Sequence, residues 1–187
     1  MNIIRIFDLF ISAFLLVILI PLFVLVSILS LCTHGKPIIY LSARVGLRGN
    51  LFNLIKFRTM RLKKNHSDED QITNFGKFLR RTSIDEIPQF LNVFIGHMSI
   101  VGPRPLPLEI ENNISHKAKL IRRKIKPGIT GLSQVAYSAK KRTLNDKVAL
   151  DLEYINNMSI YLYLSIIMRT FFVLFKRYKY NKQGKTL

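Results

Sequence analysis

The chain has 187 residues, enough for one domain of ordinary size with an appendage, and its 29 Lys and Arg against 11 Asp and Glu leave a formal net charge of +18. That excess favours polyanionic partners: nucleic acid, anionic lipid headgroups or phosphorylated substrates. The single cysteine, Cys32, excludes an intramolecular disulfide framework, and nothing marks an oxidising compartment, which leans towards the cytoplasmic side.

Residues 9–33, "LFISAFLLVILIPLFVLVSILSLCT", carry no charged side chain over about 25 residues, more than the roughly 20 a helix needs to cross the hydrocarbon. The run is too long for the apolar region of a cleavable signal peptide and lacks an A-x-A-like end. Pro21, near its middle, removes a backbone donor and crowds the carbonyl four residues back, favouring a kink or break. The segment is therefore expected to enter the bilayer, bend and leave on the same side. A kinked helix that crosses completely is the competing reading, because membrane helices tolerate proline. Basic residues on both flanks, Arg5 before and Lys36, Arg44 and Arg48 after, fit same-side ends better. The expected division is a re-entrant membrane helix over 1–34 and a basic, membrane-associated domain over 35–187.

Within "KPIIYLSARVGLRGNLFNLIKFRTM" two strands are expected, near 38–43 and 51–57, joined by a turn with Gly46, Gly49 and Asn50. The next loop carries an acidic cluster, Asp68, Glu69 and Asp70, without EF-hand spacing, and the histidines lack metal-ligand spacing; a solvated loop is the expectation. "NFGKFLRR" is amphipathic, with Phe75, Phe78 and Leu79 able to share a helix face. "RRTSIDEIPQ" follows, and its adjacent carboxylates, Asp85 and Glu86, stand out in so basic a chain. Ser83 and Glu86 have capping-box spacing; alternatively Asp85 is itself the N-cap, placing Pro88 at the third helical position, or both carboxylates favour the positive end of a helix. All three readings put Asp85 near a helix N-terminus, where Arg80 and Arg81 are expected to keep it ionised and to attract phosphate.

Downstream, Gly102-Pro103-Arg104-Pro105 is a stiff, helix-breaking segment that aims the Arg104 guanidinium, and "KPGITG" reads as a glycine-rich turn. Residues 160–175 are apolar but short for a span and include Arg169, so an interfacial or core helix is expected there. No RNP, zinc-finger or helix-turn-helix signature accompanies the positive charge, which excludes nucleic acid from the expected partners.

The array "KFRTM", "LRRTSIDEIPQFLNVFIGHMSIVGPRPL" and "IKPGITGLSQV" resembles the bacterial sugar transferases, the monotopic phosphoglycosyl transferases that begin assembly of surface polysaccharides and glycans. The resemblance covers nearly the full chain, and its central motif is long and specific. It implies an α+β enzyme of the α/β type, mostly helical with a small β-hairpin, a re-entrant helix and interfacial amphipathic helices. It also implies a place at the cytoplasmic face of a bacterial inner membrane. The implied reaction moves sugar 1-phosphate from a UDP-sugar to a polyprenyl phosphate such as undecaprenyl phosphate, releasing nucleoside monophosphate. By the same match Asp85 is the nucleophile and lies at a Mg²⁺ site, Glu86 handles a proton or orients the lipid phosphate, and Lys56, Arg80 and Arg104 face phosphates. Many members continue the glycine motif as W-A-Q-V-N-G-R; here Ser138 replaces the arginine, with Lys140, Lys141 and Arg142 close behind, which leaves nucleotide or sugar recognition open. Membrane phospholipid is an expected partner and a homodimer is left open. The alternative is a catalytically silent membrane protein that binds anionic lipid or a glycan-assembly partner through its basic surface.

Overall fold

The computed structural model describes residues 3–61, 72–136 and 142–182, so the Asp68, Glu69 and Asp70 cluster and Ser138, Lys140 and Lys141 lie outside the described residues. The apolar N-terminal run forms two helices, α1 (Ile3–Ile18) and α2 (Ile20–His34), meeting at Leu19 with a 59° bend. Pro21 sits in the first turn of α2, where its missing N–H leaves no intrahelical bond unmade and its fixed φ suits a helix start. Among the described residues no single helix is long and apolar enough to cross a membrane, though the bent pair together is.

α1 begins well before the charge-free run and carries a residue the sequence reading passed over. Asp8 is buried at 2% exposure, and its Oδ1 accepts hydrogen bonds from the Ser99 hydroxyl (3.0 Å), the Ile100 amide (2.8 Å) and the Tyr163 hydroxyl (2.8 Å). A buried carboxyl group needs such donors, so Asp8 fixes α1 against the globular domain. One turn earlier, Arg5 donates to the Val93 and Phe94 carbonyls at 2.6 and 2.9 Å.

After α2 the chain enters an antiparallel hairpin, β1 (Ile39–Val45) and β2 (Leu51–Phe57), with Ile39 opposite Phe57 and Val45 opposite Leu51. The first strand runs two residues beyond its expected end because the ladder continues until Gly46 turns the chain, its amide donating to the Asn50 carbonyl at 2.9 Å. Arg58, just past β2, is buried and donates to the carbonyls of His34, Gly35 and Pro37, each at 2.6 Å, locking the exit of α2 onto the hairpin.

α3 (Asn74–Thr82) is capped by Thr73, whose hydroxyl accepts from the Gly76 amide at 2.9 Å. Of its expected face, Leu79 is fully buried and Phe75 packs beside it, whereas Phe78 is exposed. Gly76 is required: a Cβ there would stand 2.0 Å from the Thr59 carbonyl oxygen. α4 (Gln89–Ile95) then leads to β3 (Ser99–Val101), α5 (Leu108–Asn112) and α6 (His116–Arg122). The stretch expected to be a glycine turn instead contains a strand, β4 (Gly128–Thr130), paired parallel to β3 with Ser99 opposite Gly128 and Val101 opposite Thr130. The glycines serve close backbone crossing, since a Cβ on Gly128 would lie 2.1 Å from the Gly102 nitrogen and one on Gly131 2.2 Å from the Gly102 oxygen. α7 (Leu132–Val135), α8 (Leu144–Asn156) and α9 (Ile160–Lys182) complete the chain.

The main core gathers Phe52, Leu54, Val93, Met98, Ile100, Val101, Tyr154, Tyr163 and Ile166 around β3, with Ile4, Phe7 and Ile11 of α1 against it. A second core joins Leu22, Phe23 and Val26 of α2 to Phe57 and Leu79. Both arms of the bent pair thus rest on the globular body. α9 faces inward through Tyr163 and Ile166 and exposes Tyr161, Met168, Phe171 and Phe172 together with Arg169. Large apolar side chains are likewise exposed on α1, α2 and α4, among them Phe10, Phe14, Leu25, Phe94 and Ile95.

Candidate active site

The carboxylate pair lies in a sharp connection between α3 and α4. Ser83 ends α3 in the left-handed region (φ 58°), an uncommon conformation for a residue with a side chain, and a 3₁₀ turn over Ile84–Glu86 follows at once. The amides of Glu86 and Ile87 donate back to the carbonyls of Ser83 and Ile84 at 3.1 and 3.2 Å, and Pro88 then stands at the N-cap of α4 rather than at its third position. Neither the turn nor α4 has a side-chain cap hydrogen bond, so the capping box and the Asp85 N-cap are both absent. Asp85 does precede a helix start, but capping does not account for it.

Asp85 is buried, with Glu86 half-exposed beside it. Burial, and then the Glu86 charge, push the Asp85 carboxyl up to about 6, against the pull of Lys56 and Arg80. Arg80 favours the ionised form, as expected from its proximity, but desolvation outweighs it, so the carboxyl lies above the usual carboxylate range. Arg80 itself is exposed and donates through Nε to the Thr59 hydroxyl at 2.8 Å.

Lys56, on β2, forms an ion pair with Glu86 at 2.7 Å. Its register relative to the turn is set by a residue that sequence reasoning missed. Asn92 of α4 is fully buried; its Oδ1 accepts from the Ile55 amide at 3.0 Å and its Nδ2 donates to the Asn53 carbonyl at 2.8 Å. A single side chain thus satisfies the outer edge of β2 as a neighbouring strand would, and holds α4 alongside it. The only sequence signal was a polar residue on the otherwise apolar "FLNVF".

Arg104 leaves β3 on the Pro-Arg-Pro segment. Arg122 of α6, buried, donates to the Arg104 carbonyl at 2.6 Å and pairs with Asp151 of α8 at 3.3 Å. Burial pushes Asp151 up to about 6 and Arg122 down, each towards its neutral form, so desolvation outweighs their attraction. The amide of Val45 donates to the Leu106 carbonyl at 3.1 Å and ties the far end of the segment to β1.

These supports bring Lys56, Glu86 and Arg104 to one open cleft of about 330 Å³, shared with Arg44, Gln89, Gln134 and the apolar Leu54, Pro105 and Ile129. Asp85 and Arg80 do not line it; Asp85 is the adjacent position of the same turn. Arg44 was read from the sequence only as a flanking positive charge. Its place follows from hairpin register, because Arg44 and Lys56 occupy the same face of the two-stranded ladder.

The donor set at the turn suits a magnesium ion. Two adjacent carboxylates, one costly to ionise because it is buried, are the kind of site a dication relieves. Among the described residues no group of three or more His, Cys, Asp or Glu could hold a metal, so substrate oxygens and water would complete such a shell.

The family model described as bacterial sugar transferase matches residues 1–177. A UDP-glucose:undecaprenyl-phosphate glucose-1-phosphate transferase of Klebsiella pneumoniae is 35% identical over 90% of this chain, and one of Xanthomonas campestris pv. campestris is 37% identical over 80%. The chain spans only 39% and 34% of those two relatives. The exopolysaccharide production protein ExoY of Sinorhizobium fredii is 34% identical over 89% of this chain, which spans 82% of it.

Proposed function

This chain belongs to the bacterial sugar transferase family, and we propose that it transfers sugar 1-phosphate from a UDP-sugar to a polyprenyl phosphate, as the names of its relatives say of them. The observation that carries this reading is the convergence of Lys56, Glu86, Arg44 and Arg104 on one cleft beside the buried Asp85. Clustered cations suit a diphosphate and a second phosphate, and phosphoryl transfer depends mainly on positioning and charge neutralisation.

In the first step an Asp85 carboxylate oxygen attacks the sugar-bearing phosphorus of the donor. A new P–O bond forms, the diphosphate bridge breaks, and uridine monophosphate leaves with the bridging oxygen. In the second, a phosphate oxygen of the lipid attacks the same phosphorus and the Asp85 carboxylate departs, leaving a polyprenyl diphosphate sugar. Glu86, fixed by Lys56, orients the incoming lipid phosphate. Arg80 and Arg104 hold phosphate oxygens. Asp85, with substrate oxygens, would hold Mg²⁺, which when bound neutralises diphosphate charge and eases departure of the monophosphate.

One substrate is dissolved and the other lies in a bilayer, so the site belongs at the interface. The bent α1–α2 pair, with both arms on the globular body and its outer faces apolar, supports a re-entrant anchor that keeps both ends on the cytoplasmic side. The outward apolar faces of α4 and α9 support an interfacial seat for the domain.

The test is to mix the protein with UDP-glucose and Mg²⁺ without lipid and to examine the peptide spanning residues 82–90 by mass spectrometry. A sugar-phosphate adduct on Asp85 and ping-pong kinetics are expected. Asp85→Asn is expected to abolish both while the protein stays folded; near-normal turnover in that variant refutes the assignment.

A further inference from the structure

Among the described residues three cations that are buried or half-buried are paired: Lys56 with Glu86, Arg122 with Asp151 and Arg123 with Glu111. Arg44 is different. It stands beside Arg104 in the cleft, and its Nε is buried without a hydrogen-bond partner among the described residues. Across the cleft Gln134 donates its amide nitrogen to the Ile129 carbonyl at 3.1 Å. A carbonyl can only accept, so the carboxamide's orientation is determined, and its Oε1 is left buried and unpartnered. Both residues line one cleft, and each holds a buried polar atom without a partner, one a cationic donor and the other a neutral acceptor. Proteins rarely leave such groups open unless a ligand or ordered water completes them.

We infer that Arg44 and Gln134 form the recognition subsite for the nucleoside diphosphate sugar, Arg44 donating to a phosphate oxygen and Gln134 Oε1 accepting from a hydroxyl of the ribose or the sugar. The inference rests on the transferase reading for its choice of ligand. Both substrates carry phosphate oxygens that would satisfy Arg44. Only the nucleotide sugar also carries hydroxyl donors, because the lipid's phosphate is attached to hydrocarbon. The pairing of donor and acceptor thus selects the soluble substrate.

The experiment uses the full chain in lipid nanodiscs with Mg²⁺. Binding of UDP-glucose, measured in an Asp85→Asn background that cannot form the adduct, and of UDP is followed by calorimetric titration without lipid acceptor, then KM is determined with Asp85 intact for UDP-glucose and for undecaprenyl phosphate. Arg44→Gln is expected to weaken both nucleotide affinities by about tenfold to a hundredfold, the range for a lost hydrogen bond to a charged group. Arg44→Lys keeps the charge without the planar fork and recovers part of that loss. Gln134→Met is expected to weaken UDP-glucose binding by about tenfold, with KM for undecaprenyl phosphate within about twofold of wild type in every variant. Melting temperatures identify any variant whose loss is only of folding, and Arg44→Lys then carries the test. Unchanged nucleotide affinity, a rise confined to the lipid KM, or failure of the wild type to bind either nucleotide overturns the subsite. Wild-type protein that binds UDP-glucose through Arg44 yet releases no uridine monophosphate with lipid present refutes the transferase reading and leaves the subsite standing.

Discussion

Asn92→Ala isolates the joint that aligns the catalytic turn with β2. The substitution removes the acceptor of the Ile55 amide and the donor to the Asn53 carbonyl, at 3.0 and 2.8 Å, from a side chain with no exposure. Each backbone group deprived of its partner costs about 1–3 kcal/mol when buried. Asn53 is exposed, so water can reach its carbonyl and the sum falls towards the lower half of the range, about 3 kcal/mol. For a chain of this size that corresponds to roughly 6–12 °C in melting temperature. Asn92→Asp keeps an acceptor for Ile55 but sets a carboxylate against the Asn53 carbonyl, so it should also destabilise. The assay is thermal unfolding in detergent followed by circular dichroism, with uridine monophosphate release measured well below the transition. Lys56 sits on β2 and Glu86 in the turn that leads into α4, the two elements that Asn92 joins, so turnover is expected to fall by more than the unfolded fraction explains. A shift in melting temperature below about 1 °C, with normal turnover, would refute the account of Asn92 as the joint.

Asp8→Ala leaves the Ser99 hydroxyl, the Ile100 amide and the Tyr163 hydroxyl without their acceptor and is expected to cost about 3 kcal/mol, against about 1 kcal/mol for Tyr163→Phe, both read from thermal unfolding. Asp151 has a folded-state value of about 6 against an ordinary 3.8, so the folded state binds its proton more tightly and the Asp151 contribution to stability is lost as pH rises from about 4 to about 6. Asp151→Asn, compared with wild type across that window, is expected to remove this part of the slope, because a neutral amide has no proton to lose; parallel curves would contradict it. Pro21→Ala restores an amide in the first turn of α2 and is expected to favour a straight spanning helix and lower turnover. Cysteine labelling at positions 2 and 36 in oriented inner-membrane vesicles reads the topology, and unchanged sidedness with unchanged turnover would remove the proline from the mechanism.

Sequence was most informative where the determinant is local. The break near Pro21, the hairpin with its Gly46–Asn50 turn, the amphipathic α3 and the inward seat of α9 all follow from proline geometry, alternation and helical period, which act over a few residues. The motif around Asp85 and Glu86 was likewise legible as a resemblance. Its local reading was not: spacing suited a capping box, but Ser83 in the left-handed region and the 3₁₀ turn leave both candidate caps unused. Spacing shows that a cap is possible, while the backbone path decides whether it forms. The glycine motif failed for a related reason. Glycine permits both a turn and a close backbone crossing, and the choice was made by β3, whose chain lies against Gly128 and Gly131.

By itself the sequence determined the chain's long apolar run, its basic character, its hairpin and its family. Only the tertiary structure decided that Asp8 is a buried acceptor for α1, that Asn92 joins α4 to β2, that Arg122 and Asp151 brace the Arg104 backbone, and that Arg44 shares a cleft with Arg104 and Gln134. Each of these joins residues at least 18 positions apart, so no local period or spacing encodes it. A polar side chain costs free energy when buried, and whether that cost is met depends on partners that only the folded chain brings within hydrogen-bonding distance.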